Sequence, residues 1–245
     1  MKQKIKLVFF HPYSYLGGAD NSLRRLIERL DTKLFSISFL SLNRSYLKKY
    51  LIYKVNFIQL NSKRTLFSIL ELRKIFNSFI SNKNFKKVVV ISNQNFANIV
   101  TSFAIKKNKK IKSIFIDRNH LDELDFFNNY LDKFKKKIIK YLIKLRYRKA
   151  NTVIGVSKKL SKDLSKFINR PVKTIYSPSY DNKILKKSRE KLNLRKNFKY
   201  IVNVSRFSKR KDHKTTLKAF EIILKKIKNI NLILIGYGPE LNEIR

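Results

Sequence analysis

The sequence predicts an α/β protein built on parallel sheet, and three observations carry that prediction. Short apolar runs rich in β-branched residues alternate along the chain with segments whose apolar residues recur at helical spacing. Runs such as Val88 to Ile91 are apolar at successive positions, the pattern of a strand buried on both faces. Phe198 to Glu240 reads as strand, loop, helix, strand, with a crossover long enough to lay its two strands parallel.

The first run, Ile5 to Phe10, follows basic residues but contains Lys6 and is too short for a signal-peptide core, so it reads as a buried strand. Gly17-Gly18 then precedes Leu23, Leu26, Ile27 and Leu30 at helical spacing, placing both glycines at a strand-to-helix turn. Backbone N–H groups there, unobstructed by side chains, approach a phosphate closely. A tight turn that needs glycine is the other reading. Strands are expected at Phe35 to Leu40 and Val55 to Leu60, and a helix on Leu66, Ile69, Leu70, Ile75 and Phe79. After the strand Val88 to Ile91 come a helical face of Phe96, Ile99, Val100 and Phe103 and the strand Ile111 to Ile116. Asp117-Arg118-Asn119-His120 follows at a carboxyl strand end, where ligands of open parallel sheets bind. A histidine there titrates near neutrality and suits a general base for an acceptor hydroxyl; a loop histidine making a structural hydrogen bond is the alternative.

Residues 127–149 form a basic amphipathic segment, with Leu131, Phe134, Ile138, Leu142 and Leu145 in one stripe among lysines and arginines. The stripe either packs into the core or lies on anionic lipid. Thr152 to Val156 reads as a strand, and Ser157 as the N-cap of a helix bearing Leu160, Leu164 and Phe167. Pro171 and Pro178 lead into a polar segment, so an N-terminal domain is expected over 1–178, a hinge over 179–197, and a second domain from 198. In that second part Tyr200, Ile201, Val202 and Val204 make the first strand, Leu217, Phe220, Leu224 and Ile227 the helix, and Leu232 to Ile235 the second strand. The basic loop Arg206 to Lys211 sits at the carboxyl end of the first strand.

Val204-Ser205-Arg206, Lys211-Asp212-His213, Leu217, Ala219-Phe220 and Ile235-Gly236-Tyr237-Gly238-Pro239-Glu240 occur in an order and spacing that resemble the donor-binding half of the family 4 retaining glycosyltransferases. Ile154-Gly155-Val156-Ser157-Lys158 and Ile175-Tyr176-Ser177-Pro178 resemble the end of that family's N-terminal domain, with Ser177 where Asn is common. The resemblance implies a GT-B architecture: a Rossmann-like N-terminal domain and, over 198–245, the first β-α-β portion of a second. It implies transfer of a sugar from a nucleotide-sugar donor, with retention, to a lipid-linked or polysaccharide acceptor in cell-envelope glycan synthesis. Arg206 and Lys211 would neutralise the donor diphosphate, Gly17 and Gly18 would face it from the first loop, and Gly236 and Gly238 would shape the donor loop. Arg118 and Asn119 would line the acceptor side and His120 would act as the catalytic base. The nucleotide sugar is a substrate, so no cofactor is expected. Relatives continue past Glu240 into a paired-glutamate motif, so a C-terminally truncated chain is also expected, because one β-α-β unit cannot cover both faces of its sheet.

Composition narrows the alternatives. The chain has 245 residues, a formal net charge of +41 and no cysteine, which removes disulfides and thiolate catalysis. No D-x-D triplet is present for a metal-bridged diphosphate, no Walker A loop, and no metal-ligand spacing among His11, His120 and His213; no metal is expected. No apolar run is long enough to span a bilayer, so the expected location is the cytoplasm, at the inner face of the membrane if the acceptor is a lipid. The competing function is a non-catalytic basic protein that binds nucleic acid or an anionic membrane through charge alone, although aromatic-basic RNA motifs are lacking.

Overall fold

A computed structural model describes residues 3–244 except 16, 44, 52, 53, 107, 128 and 196. Leu16, beside the glycine pair, and Asn128, ahead of the basic helix, therefore lie outside the described residues. The chain divides into two compact units, Met1–Asp181 and Asn182–Arg245.

Unit 1 is a doubly wound α/β layer. Its strands are β1 (Lys4–Phe10), β2 (Phe35–Ser41), β3 (Val55–Gln59), β4 (Phe85–Asn93), β5 (Ile111–Asp117), β6 (Thr152–Gly155) and β7 (Lys173–Thr174). They pair in parallel in the order β3-β2-β1-β4-β5-β6-β7, so β1 lies in the interior of the sheet and the order reverses beside it. Helices α1 (Gly18–Glu28), α2 (Lys48–Leu51), α3 (Ile69–Ser81), α4 (Asn95–Ala104), α5 (Tyr130–Arg146) and α6 (Lys158–Ile168) make the crossovers. The pleat of β1 sends Leu7 and Phe9 into one cluster with Leu23, Ile27 and Leu51, and Val8 and Phe10 into another with Leu72, Phe76 and Val100. A third cluster sets Ile139, Ile143 and Tyr147 against Ile99, Phe115, Val153, Leu164 and Ile168.

Strands β1 to β6 lie where the apolar runs predict them, β7 carries no apolar run and is not among the expected strands, and three helical faces differ. In α3 Leu72 and Phe76 are fully buried and the expected Ile69, Ile75 and Phe79 pack beside them, while Leu70 and Leu66, the latter in a 3-10 turn over residues 65–68, are exposed. In α4, Ile99 and Val100 are buried as expected but Phe96 is exposed. In α5 the buried row is Ile139 and Ile143, continued by Tyr147; of the expected stripe only Leu142 packs, and Leu131, Phe134, Ile138 and Leu145 are exposed. Both rows of α5 satisfy helical spacing. The one that buries carries Tyr147, whose hydroxyl needs the polar partners Asn98 and Asp117 that wait beneath it.

Unit 2 holds α7 (Asn182–Lys187), β8 (Lys199–Val204), α8 (His213–Lys226), β9 (Ile230–Ile235) and α9 (Leu241–Ile244). Strands β8 and β9 pair in parallel, as the β-α-β reading requires. Phe207 and Ile230 are the hydrophobic residues fully buried among those described in this unit, whereas Val202, Val204, Ile222 and Ile235 are exposed.

Candidate functional site

In unit 1, chemistry-bearing residues gather at the carboxyl ends of β1, β4 and β5, beside the reversal in strand order. Arg118, the residue after β5, donates from Nε to Asn93 Oδ1 at 2.8 Å, from one terminal nitrogen to Ser177 Oγ at 2.8 Å, and from the other to Ser22 Oγ at 3.2 Å. Asn93 ends β4 and turns its amide nitrogen to His11 Nδ1 at 3.2 Å. With Asn93 Oδ1 committed to an arginine donor, that nitrogen is the donor to His11. His11 then carries its proton on Nε2, which faces Asp20 Oδ1 at 3.4 Å. Asp20 Oδ2 in turn accepts from the N–H groups of Tyr15 and Gly17, both at 3.1 Å. One polar chain thus runs Arg118–Asn93–His11–Asp20 into the glycine loop.

Asp20 is held as the carboxylate. Burial alone would raise the Asp20 carboxyl, but the polar contacts of His11, Ser14 and the Tyr15 N–H hold it below the usual carboxylate range. Burial lowers the Arg118 guanidinium, which Asp20 partly offsets. Deeper still, Asp117 and Tyr147 are fully enclosed; Tyr147 Oη donates to Asp117 Oδ2 at 3.0 Å and accepts from Asn98 Nδ2 at 2.9 Å. Burial pushes the Asp117 carboxyl up to about 6, against the Tyr147 hydrogen bond.

The glycine pair has no conformational or packing reason internal to the unit. Gly17 has φ −75°, and Gly18 is the first residue of α1 and not among the positive-φ positions. A Cβ on Gly18 would meet nothing within 4 Å, and one on Gly17 only Asp20 Oδ2 at 4.0 Å. The tight-turn reading therefore fails. Gly17 N–H is taken by Asp20, whereas Gly18, at the first helical position, has no helical carbonyl to donate to.

Of the expected acceptor-side residues, Arg118 is a partly buried hub, Asn119 is exposed, and His120 is half-exposed with Nδ1 3.8 Å from Asp163 Oδ2. His11, Asp20 and Asn93 are members of the cluster that sequence reasoning passed over. His11 and Asn93 carry the signal that picked out Arg118, each at or just after a carboxyl strand end, while Asp20 lies in the first turn of α1.

In unit 2 the loop after β8 is zipped to the loop after β9. Ser205 N–H donates to Ile235 O at 3.0 Å and Phe207 N–H to Tyr237 O at 2.9 Å, which extends the ladder past the strands. Gly236 and Gly238 permit this: a Cβ would stand 1.9 Å from Ser205 O and 2.0 Å from Phe207 O respectively. Phe207 stacks on buried His213 at 4.3 Å between ring centroids, and His213 Nε2 meets Ser205 Oγ at 3.0 Å. Asp212 caps α8 by accepting from Thr215 N–H at 3.3 Å. On this frame Arg206 and Lys211 are both exposed. Among the described residues no group of three or more His, Asp or Glu side chains is placed to hold a metal ion.

Residues 185–245 match the family model of group 1 glycosyl transferases. No curated protein sequence matches the chain. Among solved structures, Anabaena HepE in complex with UDP and glucose is similar at 14% identity and TM-score 0.64, over 97% of this chain and 63% of that one. The lipopolysaccharide outer core galactosyltransferase WaaB is similar at 14% identity and TM-score 0.62, over 98% and 63%. A glycosyltransferase from Rickettsia africae is similar at 17% identity and TM-score 0.55, over 96% and 69%. This chain thus spans about 63% of the length of the first two. The likeness establishes the fold: a Rossmann-like unit 1 and the opening β-α-β of a second such unit, as in GT-B proteins.

Proposed function

We propose that this chain belongs to a glycosyltransferase that takes a sugar from a nucleotide-sugar donor. The observation that carries the reading is the zipped loop of unit 2, which falls in the segment matching the glycosyltransferase model and displays Arg206 and Lys211 at the carboxyl end of β8. A departing nucleoside diphosphate gains negative charge as its bond to the sugar breaks, and two cations on a preformed frame stabilise that charge without reorganising. In this reading Arg206 and Lys211 take the role that a bridging metal has in other transferases. Gly17 and Gly18 offer unobstructed backbone to the donor diphosphate, Arg118 and Asn119 flank the acceptor, and His120 accepts the acceptor's proton. The finer expectations are proposals as well: retention at the anomeric carbon, family 4 membership, a hexose as the sugar, and a lipid-linked or polysaccharide acceptor met at the inner face of the membrane. The neighbours' printed ligands, UDP and glucose, make UDP the first probe.

The test is calorimetric titration of the chain with UDP, GDP and ADP, repeated on Arg206→Ala and Lys211→Ala. At least one diphosphate should bind, and Arg206→Ala should weaken it about tenfold or more, the loss of one charge-assisted pair. Binding of none, or equal binding by Arg206→Ala, would overturn the assignment.

A further inference from the structure

The exposed side of α5 is apolar along most of the helix. Tyr130, Leu131, Phe134, Ile138, Tyr141 and Leu145 are all exposed, with Leu131 at 72% and Phe134 at 64%, although the helix already buries a separate apolar row in the core. Leu131, Phe134, Ile138, Tyr141 and Leu145 recur every three or four residues, so they form one continuous stripe about 21 Å long. Lys133, Lys137, Lys140 and Lys144 repeat at the same interval and form a parallel row beside it. A soluble helix buries one stripe and hydrates the remainder. This one has a second stripe in water, edged by cations.

We propose that this face of α5 is a docking surface for an anionic phospholipid bilayer, with the apolar stripe sunk into the headgroup region and the lysine row on lipid phosphates. Charge complementarity selects the occupant. An apolar protein groove would meet the stripe but not satisfy the lysines, and a nucleic acid would meet the lysines but leave the stripe in water. The carboxylates nearby neutralise one member of the row, Lys140, and leave Lys133, Lys137 and Lys144 to carry its charge. Asp132 pairs with Lys136 on the helix itself and Asp125 with Lys140, while Asp122 and Glu123 lie in the 3-10 turn before the helix and Asp163 of α6 faces His120. The helix lies on the surface, because no described helix is long and apolar enough to cross a membrane. Its first turn follows the 3-10 turn Leu121–Leu124, which leads from His120 and the carboxyl end of β5. A bilayer seated there presents a lipid-linked substrate directly to the strand ends. The inference deepens the proposed function by locating its acceptor. It is measured without donor or acceptor, so its failure leaves the sugar-transfer reading standing.

The experiment is flotation of the full chain with vesicles of phosphatidylcholine alone and of phosphatidylcholine with phosphatidylglycerol. The chain should float with the anionic vesicles. Leu131→Asp with Phe134→Asp, both on exposed positions, should lower partitioning about a hundredfold. Lys133→Gln, Lys137→Gln and Lys144→Gln should lower it about fivefold per residue. The control changes four exposed lysines near the amino ends of β4 and β5, Lys83, Lys86, Lys106 and Lys109, to Gln, and should bind nearly as the parent does. Equal losses in the control and the α5 lysine variant would show a bulk-charge effect and overturn the proposal. So would undiminished flotation of the aspartate variant, or full displacement of vesicles by single-stranded RNA.

Discussion

Asp117 gives the sharpest test of the site's interior. Its side chain is fully enclosed, Oδ1 has no hydrogen-bond partner, and Oδ2 is held by Tyr147. Burial moves the carboxyl from 3.8 to about 6, so between those values the folded protein holds a proton that the unfolded chain has lost. Stability therefore falls as pH rises through this window and levels off above about 6. The full cost is about 3 kcal/mol, at 1.36 kcal/mol for each pKa unit. Roughly 2 kcal/mol of it falls between about pH 4.5 and about pH 7.5. Asp117→Asn keeps an acceptor for Tyr147 and cannot ionise. Urea unfolding of both proteins across that range should show the variant gaining about 2 kcal/mol on the parent as pH rises, other titrations cancelling in the difference. A difference that stays flat would mean that Asp117 titrates normally in the folded state, and the desolvation argument would be wrong.

Two further tests bear on the frame. Burial lowers Lys6 in β1 to about 8, so between there and 10.5 the folded chain has released a proton that the unfolded chain keeps; stability from this group rises with pH over that interval, and Lys6→Met, followed by thermal melts at alkaline pH, should lack the rise. Gly155→Ala would place a Cβ 2.5 Å from Ser161 Oγ and 3.0 Å from its backbone nitrogen, forcing α6 away from β6; urea unfolding should show a loss of about 1–3 kcal/mol, and an unchanged midpoint would refute the packing argument.

Much of this architecture was legible in the sequence because a parallel strand buried on both faces leaves an unbroken apolar run, and unit 1 is made of such runs. The facing of α5 was not legible. Leu131, Phe134, Ile138, Leu142 and Leu145 and the row Ile139, Ile143 and Tyr147 fit the same period, and only the polar pocket under Tyr147 decides between them. The site was half legible for a related reason. Arg118 follows its strand visibly, but its partners come from β4, from α1 and from Ser177, and a sequence carries no strand order that would bring Asn93 and His11 together. The glycines divide in the same way: Gly236 and Gly238 answer to the backbone they touch, Gly17 and Gly18 to nothing within their own unit.

The place of β1 has a consequence during synthesis. It leaves the ribosome before the other strands of its sheet and lies in the interior of the finished sheet, with β2 on one side and β4 on the other. The partner on the β4 side is complete only when Asn93 has been made, about 4–17 s after Phe10 at common elongation rates. Through that interval β1 presents an apolar edge to any other nascent chain. Lys6 is the charge inside that edge, and its later burial over the rings of Phe79 and Phe85 is the native-state cost of having kept the strand apart until its neighbour arrived.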